Sequence, residues 1–137
     1  MIWLIKNDLA EIEKLAEKIE IYGESQGIPA VIISHINLSL DELITNIINY
    51  GYRDGLKHQI KIDLQLSETE IAVELRDDAL PFNPLERPDP DINKKLDDRQ
   101  IGGLGIYLVR QLMDQVEYRR QGEENIMFMK KCLRTDC

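Results

Sequence analysis

The sequence predicts an α+β fold: a two-layer α/β sandwich in which helices cover one face of a mixed, mostly antiparallel sheet. Three observations carry that prediction. Apolar residues recur at three- and four-residue steps over residues 9–19, 40–48 and 106–113, the spacing of helices with one buried face. They alternate with polar residues over 60–66 and 71–76, the spacing of strands with one buried face. The segments run in the order β-α-α-β-β-loop-α-β-β, which lacks the strict strand–helix alternation of a doubly wound sheet.

Taken in order, Ile2 to Lys6 is a short strand rich in Ile, Trp and Leu. Asn7 or Asp8 can cap the helix that follows, whose buried stripe is Leu9, Ile12, Leu15, Ala16 and Ile19. Gly23 to Gly27 breaks it, and Pro29 suits the first turn of a second helix running to about Tyr50, with Gly51 as its C-cap. Arg53-Asp54-Gly55 is a loop. His58–Leu66 and Ile71–Arg76 form a hairpin around the turn Ser67-Glu68-Thr69-Glu70. Residues 83–101 change character, with Pro84, Pro88 and Pro90 among many charges, and such a loop in a small domain is a lid or binding loop. A third helix opens after the glycines at 102–105, and 116–120 and 125–133 close the chain as a second hairpin around Gln121-Gly122-Glu123-Glu124.

A chain of 137 residues holds one domain with a real core and is short for two, so we expect a single domain over 1–137. The hydrophobic share of 43% argues against long disorder. The net charge of −8 repels phosphate backbones at long range and argues against a nucleic-acid partner. With only Cys132, Cys137, His35 and His58, and no CxxC, no disulfide framework or zinc site is expected; the cysteines read as one packing thiol and one tail thiol. The apolar start is too short for a leader or a membrane span, and no later run reads as long enough, so the expectation is a soluble cytoplasmic protein without a membrane partner.

Three stretches carry chemistry. On the second helix Glu42 and Asn46 lie four residues apart and so share one flank, which Asn49 continues. A carboxylate and a carboxamide side by side supply a base and a neutral oxygen ligand for a hard cation. Asp77 ends a strand just before Ala79-Leu80-Pro81-Phe82. Ile101-Gly102-Gly103-Leu104-Gly105 precedes a helix, whose first backbone N–H groups are then free to meet an anion. Each stretch alone has a plain structural explanation: a solvated helix flank, a strand end, a hinge. The glycines match neither a Rossmann nor a Walker pattern.

In combination and in this order, the three stretches resemble the GHKL ATP-binding fold of gyrase B, histidine kinases and mismatch-repair ATPases, in particular its branch of anti-sigma-factor serine kinases and stand-alone regulatory ATPases. Glu42-Leu43-Ile44-Thr45-Asn46 resembles the first motif, Asp77 to Phe82 the second, and Gly102 to Ile106 with Leu108-Val109-Arg110 the third. The resemblance implies a Bergerat-type fold with a lid and a set of roles. Asp77 would accept from the adenine amino group. Asn46 would ligate Mg²⁺, with Asn49 beside it. Glu42 would be the general base. Gly102, Gly103, Leu104 and Gly105 would hold the phosphates of ATP. Phe82 and Ile101 would wall the adenine, and Arg99 with Lys94 or Lys95 would reach the phosphates from the lid. Ala79 departs from the pattern, where Gly is usual, and its methyl is expected near the adenine; Tyr50 stands where many relatives carry His.

The resemblance implies an ATP-dependent serine kinase that phosphorylates a small anti-sigma-factor antagonist and binds a sigma factor or similar regulator. It also implies a homodimer meeting through the first strand and helix. The alternative is an ATP-dependent binding module without kinase activity, and the sequence does not separate the two. A histidine-kinase catalytic half lacks its phosphoacceptor helix here, since neither histidine lies in such a segment, and a plain interaction domain would bind no nucleotide.

Overall fold

The computed structural model describes residues 1–86 and 103–133. Among the described residues, five strands and three helices follow one another in the expected order: β1 (Ile2–Lys6), α1 (Ala10–Ser25), α2 (Ala30–Asn46), β2 (Gln59–Leu66), β3 (Glu70–Asp77), α3 (Gly103–Leu112), β4 (Gln115–Gln121) and β5 (Glu124–Cys132). The strands form one sheet in the order β1-β2-β3-β5-β4, and every pairing is antiparallel.

The alternation in the sequence becomes a single apolar face. Register sets Trp3 beside Ile62, Ile62 beside Leu75 and Leu75 beside Met127, all buried. A one-residue slip would turn this whole row outward, so the pattern fixes the pairing. On that face α2 is the central helix, touching α1 on one side and α3 on the other. Its Ile36, Leu40, Leu43 and Ile44 are at most 2% exposed. Truncating a side chain as enclosed as Ile44 to Ala removes about 2–5 kcal/mol.

Several local expectations are revised. Gly23 lies inside α1, not at its end, and an added Cβ there would strike Ile33 of α2. It is a close-approach position between helices; Gly27, at φ 73°, makes the break. Asp8 accepts the Ala10 N–H at the start of α1, while Pro29 caps α2 from just outside. Beyond Asn46 the helix widens into a π turn over Ile47–Gly51. Gly51 does not take the left-handed conformation of a glycine C-cap. The helical stretch Ala30–Gly51 spans 22 residues at mean hydropathy 1.3, long and apolar enough to cross a membrane by length and composition, contrary to expectation. Its buried face is occupied by the sheet and flanking helices, which is the pattern of a core helix. Cys132 is disulfide-bonded, which overturns its assignment as a thiol; its partner lies outside the described residues.

Candidate functional site

At one end of the sheet, α2 and its π turn face the end of β3 and the start of β5 across a cavity of about 280 Å³. The cavity brings together residues far apart in sequence: Asn46 from α2, Asp77 and Ala79 from the end of β3, Phe82 beyond it, and Asn125 from β5. Gly51 and Tyr50 close it from the π turn. A larger groove of about 640 Å³ lies between α1 and α2, but none of the expected site residues lines it.

Asp77 is only 3% exposed. Its Oδ1 accepts the Ala79 N–H at 3.0 Å and the Asn125 Nδ2 at 2.9 Å. Burial pushes its carboxyl above the usual carboxylate range and Asp78 adds to this, while the two hydrogen bonds and Arg120 pull the other way. The segment after Asp77 is strapped down. Leu80 donates its N–H to the Gly51 carbonyl at 3.1 Å. Arg120 Nη1 donates to the Ala79 carbonyl at 2.9 Å. A Cβ at Gly51 would lie 2.7 Å from the Ala79 Cβ. The methyl that departs from the resembled motif therefore packs against a glycine of the helix end, although Ala79 also lines the cavity.

One turn before Asn46, Glu42 packs against α3. A Cβ at Gly105 would collide with Glu42 Oε2, so the glycine makes room for the carboxylate. Burial first, then the neighbouring Asp41, raise the Glu42 carboxyl above its ordinary range, which strengthens it as a base. The first and third stretches of the sequence thus meet at this contact. Asn49, by contrast, is exposed and absent from the described cavity lining, because the chain has entered the π turn by that point. Gly103 and Leu104 lie at the first turn of α3. Arg99, Ile101, Gly102, Lys94 and Lys95, with most of the lid at 83–101, lie outside the described residues; its start holds a 3₁₀ turn at Pro84–Glu86, and Arg110 donates to the Leu85 carbonyl at 2.5 Å.

Asn125 escaped the sequence reading. It appeared as the first residue of a closing strand, and only its inward register with Met127 and Met129 hinted at a buried polar group. Arg120 and Tyr118, which reach the same place from β4, carried no signal at all.

The arrangement is a central helix carrying a carboxylate and a carboxamide over one end of an antiparallel sheet, with a buried aspartate at the far side of the cleft. The family described as the histidine kinase-like ATPase domain matches residues 5–131, and the chain belongs to it. A serine/threonine-protein kinase, BtrW, of Bordetella bronchiseptica is 28% identical over 86 residues, 63% of this chain and 61% of that one. A serine-protein kinase, RsbW, of Bacillus cereus is 28% identical over 102 residues, 72% of this chain and 63% of that one. An anti-sigma F factor of Oceanobacillus iheyensis is 24% identical over 85 residues, 62% of this chain and 58% of that one. The chain thus spans about six-tenths of the length of the curated relatives it matches. Among solved structures, the histidine kinase domain of the blue-light activated kinase of Erythrobacter litoralis EL346 aligns with a TM-score of 0.58 at 18% identity, covering 91% of this chain and 60% of that one. Histidine kinase AdeS of Acinetobacter baumannii aligns with a TM-score of 0.52 at 15% identity, covering 98% and 68%. These structural likenesses establish the fold.

Proposed function

We propose that the protein binds Mg-ATP in the α2–β3–β5 cleft and acts as a serine/threonine protein kinase of the anti-sigma-factor type. Its phosphoacceptor would be a small antagonist protein, and it would also bind a sigma factor or similar regulator. The observation that carries this reading is the cleft itself: Asp77 and Asn46 face one cavity from opposite walls, with Glu42 one turn from Asn46 and against Gly105. Curated relatives named as serine kinases and as an anti-sigma factor support the same direction. The exposed Ile2 and Leu4 on the edge strand β1 fit self-association there.

Asn46 lines the cleft and its carboxamide makes no hydrogen bond among the described residues, so its oxygen fits a single neutral ligand to a Mg²⁺ that keeps its waters. Bound Mg²⁺ would neutralise charge on the transferring phosphoryl group. Glu42 would take the proton of the attacking serine hydroxyl. The amides at the start of α3 would face the phosphates. Asp77 would accept a hydrogen bond from the base.

Calorimetric titration with ATP, with and without Mg²⁺, tests the pocket. We expect Mg²⁺-dependent binding that Asp77→Asn weakens by about 10- to 100-fold, the worth of a hydrogen bond to a charged group. The melting temperature should not fall at neutral pH, because the substitution also removes a desolvated charge. Absence of binding by the wild type sinks the reading. Binding without transfer to an antagonist serine would keep the pocket and replace the kinase by a nucleotide-controlled binding module.

A further inference from the structure

Asn125 is the most heavily engaged side chain at the cleft. It is 6% exposed and lies opposite Asp77 in the β3–β5 register. Its Nδ2 donates to Asp77 Oδ1 at 2.9 Å, to the Leu80 carbonyl at 3.0 Å and to the Ala79 carbonyl at 3.3 Å. Its Oδ1 accepts the Tyr118 hydroxyl at 2.6 Å and the Phe82 N–H at 3.4 Å. A carboxamide has two N–H donors and two oxygen lone pairs. Here three protein acceptors surround the nitrogen and two protein donors the oxygen, so the amide cannot flip and keeps nothing for a ligand. Whatever Asn125 does for binding, it does through Asp77 and through the strap at 79–82.

Both hydrogen bonds to Asp77 end on Oδ1; among the described residues Oδ2 receives none. Resting on the nucleotide reading above, we propose that Asn125 is a positioning residue that sets the base preference of the cleft. By holding Oδ1 it fixes the carboxylate plane and leaves Oδ2 as the acceptor offered to the ligand. That end of the cavity then favours a base edge carrying an exocyclic amino group, a 6-aminopurine, over a 6-oxopurine, whose carbonyl would oppose the carboxylate oxygen. The charged and titratable groups around Asp77 are Asp78 beside it, Arg120 from β4 and Tyr52 beyond the π turn, with Tyr118 reaching it through Asn125.

Two measurements on the full chain test this. In ligand-free protein, the Asp77 carboxyl is titrated by ¹³C NMR in the wild type and in Asn125→Ala. Losing a donor to the charged form should move its midpoint upward. In parallel, ATP and ITP, which differ at the purine 6-position, are titrated against both proteins with Mg²⁺. The wild type should prefer ATP, and Asn125→Ala should narrow that preference by about tenfold. A folded Asn125→Ala with an unmoved Asp77 midpoint, or with the wild-type ATP/ITP ratio, overturns the positioning role. If Asn125→Ala does not fold, Tyr118→Phe, which loosens the same amide by one bond, takes its place. Displacements of both readouts in the same direction support the role, and none overturns it. A wild type that binds neither nucleotide sinks the function proposed above and with it the base preference, while the ligand-free titration still decides whether Asn125 tunes Asp77.

Discussion

The two ends of the cleft are built differently. At the β3–β5 end almost every polar group is already committed: Asp77 to Ala79 and Asn125, Asn125 to Tyr118 and the following strap, Ala79 to Arg120, Leu80 to Gly51. On the α2 side, the side chains of Asn46, which lines the cavity, and of Glu42, which faces Gly105 outside the described cavity lining, make no hydrogen bond among the described residues. The contrast separates two tasks. A group that recognises a fixed shape gains from being locked before the ligand arrives, since the ordering cost falls on folding. A group that must ligate a cation or take a proton has to keep its lone pairs free.

On that division, the largest single loss should come from the uncommitted end. Glu42→Gln keeps the shape beside Gly105 and removes the base. We expect phosphoryl transfer to drop by about 10²- to 10⁴-fold, the usual worth of general base catalysis, with nucleotide affinity and melting temperature nearly unchanged. The wild-type rate should also fall as the pH drops through the raised Glu42 value, because only the carboxylate accepts the proton, and the glutamine variant should lack this limb. A Glu42→Gln protein with full transfer would remove the distinction between the ends.

The strap at the committed end should answer in stability. Gly51→Ala would bring two methyl carbons to 2.7 Å, each fixed directly to the backbone. Overpacking of this kind costs about 1–3 kcal/mol. Ala79→Gly should relieve it, so the double variant should be more stable in urea than Gly51→Ala alone. Strict additivity of the two substitutions would mean that this contact is not what seats the strap. The pair also shows how the chain accommodates the Ala79 methyl: a glycine faces it on the helix end.

How far each end was legible in the sequence follows the same division. Glu42, Asn46 and Asp77 each sat in a local pattern with a plain structural explanation, an i,i+4 pair on one helix flank and an acid at a strand end, and only their order along the chain, through its family resemblance, singled them out. The fold was legible directly, since alternation and helical periodicity are short-range signals, and the helix layer on an antiparallel sheet came out as expected. The locking groups were not, because each depends on a contact between distant segments. Asn125 meets Asp77 across 48 positions, through the adjacency of β3 and β5, which no local pattern specifies. Gly51 read as a helix cap because glycine there has a common local explanation, whereas its use is the absence of a side chain opposite Ala79. The π turn, which leaves Asn49 exposed, has no signature in a run of Ile, Asn and Tyr.

The smallest expected effect sits at the outer margin of the locked end. His58 Nε2 lies 2.8 Å from Asp54 Oδ2 and its Nδ1 lies 3.0 Å from Asp78 Oδ2, while its ring stacks on Tyr52 at 4.3 Å between centroids. Tyr52 in turn donates to Asp78 at 3.2 Å. The imidazolium is the form that can donate to both carboxylates, and those bonds, Asp78 first, raise the His58 value above its ordinary 6.5. A raised histidine contributes stability that is fully present below its unfolded value and is lost as pH climbs through its folded one. The melting temperature of the wild type should therefore exceed that of His58→Gln at about pH 6, and the gap should shrink through the range above 6.5. Because both carboxylates are about half exposed, the gap should be modest and should narrow further in salt. A gap independent of pH would mean that Tyr52 stacking alone braces this corner, and that the locked end owes nothing to charge beyond Asp77 and Arg120.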